Sequence, residues 1–107
     1  MEKPKRKQEV YTLVVQLGRA PDDGLPDKAT GGALIAYASG VDEAEAVRET
    51  VAILKQAGLA PLEVESQGSE AEQDAAKVEI GAEERELMHR ALAENSVVVV
   101  QLTPFYD

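Results

Sequence analysis

Four consecutive valines, Val97–Val100, constrain this 107-residue chain more than any other feature. Successive side chains of a strand point to opposite faces, so SVVVVQLTPFY puts two valines on each side of a sheet, whichever way it is turned. A second segment shares its wording. VYTLVVQL, residues 10–17, ends in the same VVQL that recurs as Val99–Leu102. Its Tyr11, Leu13, Val15 and Leu17 alternate with Thr12, Val14 and Gln16, the pattern of a strand rich in β-branched and aromatic residues. Two such strands near opposite ends of a short chain point to one sheet that both termini enter.

The rest of the chain supplies the partners. Gly18 stops the first strand, and GRAPDDGLPDKATGG (18–32) is a loop by its glycines and prolines. ALIAYA (33–38) reads as a strand with no charge and two apolar faces, hence a central one. In SGVDEAEAVRETVAILKQAG, Asp42 is a helix N-cap with Glu45 three residues on, and Gly58 is the stop. Ala44, Val47, Val51 and Leu54 form its expected core stripe, with Ala46, Thr50, Ile53 and Ala57 as a second flank. PLEVES is a half-buried strand whose Glu63 and Glu65 suit an edge. Residues 67–76 read as an acidic loop and KVEIG (77–81) as a short strand. AEERELMHRALAEN reads as a helix with a Leu87/Met88/Ala91/Leu92 stripe and Asn95 as C-cap.

This succession predicts an α+β fold: a ferredoxin-like two-layer βαββαβ sandwich over residues 33–104, with both helices on one sheet face. The strand at 10–17 is an addition at an edge of the same antiparallel sheet, an edge the sequence does not fix; beside the last strand, it would set the two VVQL segments next to each other. Residues 1–9 are expected to be a disordered basic tail and residues 10–107 a single domain. In that arrangement Val15/Leu17 and Val100/Leu102 feed the core. Val14, Gln16, Val97, Val99 and Gln101 would furnish the uncovered face, an apolar patch dotted with amides. A twofold copy packed on it is the expected cover, making the chain a homodimer.

Composition narrows the function classes. The net charge is −9, and the basic tail makes the remainder more acidic still, which disfavours nucleic acid as a partner. There is no cysteine, hence no disulfide or thiolate chemistry. No apolar run approaches the ~18 residues of a membrane span, so a cytoplasmic protein is expected.

Candidate chemistry is sparse. His89, the one histidine, lies off the helix stripe beside Glu86 and Arg90 and reads as a surface residue. Glu84 falls at the third helical position if Gly81 is the cap, where a carboxylate suits free backbone N–H groups. Glu70, Glu72 and Asp74 lack the turn glycine of a calcium loop. No metal, no cofactor and no catalytic residue are therefore assigned. The best local candidate is the 18–32 loop, where Arg19, Lys28 and the backbone of Thr30, Gly31 and Gly32 could cup a small anion. The plain alternative is a crossover connecting two strands.

Residues 39–66, SGVDEAEAVRETVAILKQAGLAPLEVES, resemble the regulatory ACT domains in a Gly-bearing turn before the helix and an AG-plus-aliphatic step into the next strand. Here Ser39-Gly40-Val41-Asp42 stands where those domains carry Asp-x-Pro-Gly. The resemblance implies a ligand near Gly40 and Val41 at a dimer interface. The expected function is a non-enzymatic homodimeric interaction or regulatory domain. The alternative is a binder of an amino acid or small anion, of the ACT or dimeric α/β-barrel kind.

Overall fold

The computed structural model describes residues 7–106. Its elements are β1 (Glu9–Leu17), β2 (Gly31–Gly40), α1 (Glu43–Gln56), β3 (Pro61–Ser69), α2 (Glu70–Ala75), α3 (Ala82–Glu94) and β4 (Val97–Phe105). This is an α+β domain: the four strands form one antiparallel sheet in the order β3-β1-β2-β4.

The N-terminal strand belongs to the same sheet, as its alternation predicts, but it lies inside the sheet and is not an added edge strand. β1 pairs with β2 without interruption from Glu9↔Gly40 to Leu17↔Gly32, and its other side takes β3. β2 lies between β1 and β4, the central position its two apolar faces demand, and β3 is an edge, as Glu63 and Glu65 indicate. The tail expected over residues 1–9 falls mostly outside the described residues, and Glu9 already pairs with Gly40.

The βαββαβ succession does not form, because residues 77–81 contain no strand. In its place, the preceding acidic run folds into α2. Ser69 accepts from the Glu72 N–H while the Glu72 carboxylate accepts from the Ser69 N–H, a reciprocal capping box. Gln73 of α2 donates to Thr12 Oγ1 at 2.9 Å, which holds the helix over β1. Lys77 then turns through a left-handed φ of 60°, and the chain crosses to α3 with Ile80 packing inward.

The helices also lie on both faces of the sheet and not on one. Ala46, Val47 and Leu54 of α1 pack on Tyr11, Leu13, Val15, Leu17, Leu34, Ala36 and Ala38. Met88 and Ala91 of α3 pack on Val10 and Tyr37, with Ile35, Val98 and Val100 alongside. Side chains alternate along β1 and β2, so these are opposite faces. An apolar strand with two buried faces needs cover on both, and the order of elements alone hid that requirement.

The α1 contact is rotated from its expected stripe. Ala46, Thr50 and Leu54 are buried, spaced four apart, whereas Ala44 is exposed. Gly40 accounts for the rotation. A Cβ there would lie 2.9 Å from the Ala46 nitrogen and the Asp42 oxygen, so a missing side chain lets the helix start settle onto β2. Buried Thr50 satisfies its hydroxyl by donating to the Ala46 carbonyl at 2.8 Å. The caps are as expected: Asp42 accepts from the Glu45 N–H, Gly58 follows α1 at φ 86°, and Asn95 closes α3 at φ 48°.

Candidate functional site

The loop between β1 and β2 is stapled from within. Arg19 Nε donates to Asp23 Oδ2 at 2.9 Å, and its terminal nitrogens reach Asp23 Oδ1 and the carbonyls of Pro26 and Ala29. Asp23 is itself buried and accepts from the backbone N–H of Ala20 and Leu25. The Arg19 hydrogen bond, with the two backbone N–H groups, holds the Asp23 carboxyl down to about 2. Leu25 and Ala29 are buried beneath this staple.

The residues expected to cup an anion are therefore spread over other tasks. Arg19 is engaged inside the loop, and Lys28 is exposed with no ion pair to another described residue. Thr30 N–H donates to the Phe105 carbonyl at 2.8 Å. Gly31 and Gly32 run in the β2 ladder, where a Cβ would come within 2.5 Å of the Leu17 oxygen and 2.8 Å of the Thr103 oxygen, respectively. Their glycine character serves close strand packing.

The turn at Gly40 and Val41, the ligand position implied by the ACT resemblance, is filled by the start of α1, and Val41 N–H donates to Glu45 Oε1 at 3.2 Å. Nearby, a polar groove of about 250 Å³ runs between α1 and the α3–β4 junction, lined by Ser39, Glu45, Glu49, Ile53, Asn95, Ser96 and Val97. Ser39 is buried there, with its Oγ 3.1 Å from both Gln8 Oε1 and Asn95 Oδ1, two acceptors for its one O–H.

His89 is an exposed residue of α3 whose Nε2 lies 2.8 Å from Glu70 Oε2 on α2. Arg85 meets the same Glu70 oxygen at 2.6 Å and grips Asp74 through two nitrogens. The Arg85 hydrogen bond lowers the Asp74 carboxyl below its ordinary range. This cluster joins α2 to α3, and reading residues 67–76 as a loop concealed it. The signal was present as Ser69-x-x-Glu72. Glu84 is exposed in the first turn of α3. Among the described residues, no group of three or more His, Asp or Glu side chains is placed to hold a metal ion, and no helix is long and apolar enough to cross a membrane.

The remaining surface of note is β4 and the sheet beside it. The expected interface residues do not share one face. The pairing with β2 shifts by one residue between Ile35↔Gln101 and Ala36↔Val99, a bulge at Val100. Val97, Val99 and Leu102 therefore sit opposite Ala38, Ala36 and Leu34 on the α1 side. Gln101 and Thr103 lie opposite Ile35 and Ala33 on the other side, with Val14 and Gln16. There, next to the α3 contact that Ile35 also joins, Val14, Ala33, Ile35, Gln101 and Thr103 line a shallow depression of about 190 Å³. On the α1 side, Ile53, Val99 and Leu102 are exposed.

A family model described as Domain of unknown function (DUF8846) matches residues 10–106. The chain belongs to this family. Its span takes in every strand and helix of the described residues from Val10 onward. No curated protein and no solved structure matches the chain.

Proposed function

We propose that this domain is a non-enzymatic, cytosolic interaction module that works as a homodimer, with β4 and the open part of the sheet beside it as the contact. One observation carries the reading. From Val97 to Tyr106 the chain has no charged residue, although it bears 20 acidic side chains in all, and Val99, Leu102, Phe105 and Tyr106 of this stretch are exposed. An uncharged apolar edge on an acidic body is a place where two copies can approach without like-charge repulsion. The opposite edge, with Glu63 and Glu65, is guarded against such contact.

Light scattering at micromolar concentration tests the proposal. The wild-type chain should show twice its 11.5 kDa mass. Val99→Asp should weaken association by roughly tenfold or more, because it places two like charges in a desolvated contact. A single-chain mass for the wild type would remove the homodimer.

A further inference from the structure

We propose, building on the homodimer reading, that the two copies join by antiparallel pairing of β4 with β4, continuing the sheet to eight strands, with Val99 of one copy opposite Leu102 of the other. The register follows from the direction of the β4 backbone groups. Ser39 N–H donates to the Ser96 carbonyl at 3.1 Å, which makes the adjacent Ala38↔Val97 pair a non-hydrogen-bonded one. Alternation along β2 gives Ala36, Leu34 and Gly32 the same character. Their partners Val99, Leu102 and Pro104, together with Val97, turn their backbone groups away from β2 to the open edge. Pro104 fits this assignment, since a residue with no N–H is tolerated where the donor would face away from β2; against a second β4 it supplies no donor to the opposed Val97, so the hydrogen bonds between copies centre on the Val99 and Leu102 pairs.

The bulge at Val100 spaces the outward residues Val99 and Leu102 three apart in place of two. An ordinary strand would lose register on meeting it. A second β4 running antiparallel carries the same bulge at the matching point, so Val99 and Leu102 of one copy meet Leu102 and Val99 of the other about a twofold axis between Val100 and Gln101. The chain's own copy is thus the complementary partner for this edge. Edge addition also reaches both sides of β4 at once: Val99 and Leu102 on the α1 side, Gln101 and Thr103 on the other. Stacking on either face alone would leave the second side bare. No carboxylate of β4 opposes its twin within Val97–Tyr106.

The chain has no cysteine, so single cysteines report contacts without background. Opposed residues of a hydrogen-bonded antiparallel pair have Cα atoms about 5.5 Å apart, inside the disulfide range. Val99→Cys and Leu102→Cys proteins, each checked for native circular dichroism, are mixed and oxidised. The expected product is a mixed Val99→Cys/Leu102→Cys dimer in roughly tenfold excess over either self-linked dimer. A wild-type chain of dimeric mass whose mixed product does not exceed the self-linked ones overturns the register and leaves the homodimer standing. A monomeric wild type, with β4 free for an unrelated chain, sinks both.

Discussion

Val14–Leu17 and Val99–Leu102 are the same four residues in one sheet, and they end in opposite circumstances. In β1, Val15 is 0% exposed and Leu17 3%, while in β4, Val99 is 45% exposed and Leu102 42%. Position explains the contrast. β1 has strands on both sides and α1 above, whereas β4 has β2 on one side, no strand of the described residues on the other, and a bulge in its middle. The same apolar content stabilises the fold where it is enclosed and leaves surface to be covered where it is not. A tetrapeptide therefore carries no fixed role, and the pairing on either side of it assigns one.

The two leucines break the comparison most strongly. Leu17→Ala should cost roughly 2–5 kcal/mol, the range for emptying an enclosed core site, whereas Leu102→Ala should cost less than about 1 kcal/mol in the monomer. Urea unfolding at a protein concentration low enough to suppress association measures both. Equal losses would mean that Leu102 is enclosed within a single chain.

A smaller effect is expected at the far edge. Replacing Glu63 and Glu65 of β3 by valine removes the charges that distinguish it from β4, giving each chain two uncharged edges. Sedimentation should then detect species larger than a dimer. A double variant with wild-type mass would show that charge is not what separates the edges.

The smallest effect concerns how each tetrapeptide is followed. After Leu17, the Arg19–Asp23 staple folds a loop against the sheet end; after Leu102, the strand runs on to Pro104. The Asp23 carboxyl is held at about 2, so its contribution is complete above the ordinary carboxylate range and is lost as pH falls through about 2. Asp23→Asn should be less stable than wild type at neutral pH, and the gap should close at the acid end. A gap of constant size across pH would show that the ionised carboxylate is not the source.

Much of the fold was legible in the residues. Asp42, Gly58 and Asn95 marked their helix ends, the two-faced ALIAYA marked the central strand, and PLEVES marked an edge. What misled was connectivity. β1 took the centre through a long-loop hairpin, and no local signal shows which of several apolar strands it will join. Ser69 and Glu72 announce the cap of α2, but its residues have too little apolar content to show a helical period. The parity of β4 changed at Val100, since a bulge follows from pairing and leaves no mark in a run of valines. The staple inside the 18–32 loop leaves no sequence signal for a related reason: Arg19 and Asp23 sit four apart without a helix, so their pairing depends on the fold around Leu25.

Amide hydrogen exchange at matched positions of the two tetrapeptides, followed from low micromolar to millimolar protein, tests the central claim most directly. Val15 and Leu17 should be protected at every concentration, while Val99 and Leu102, whose N–H groups face the open edge, should gain at least about tenfold protection as the dimer forms. Rapid exchange at Val99 and Leu102 that does not change with concentration would contradict the account.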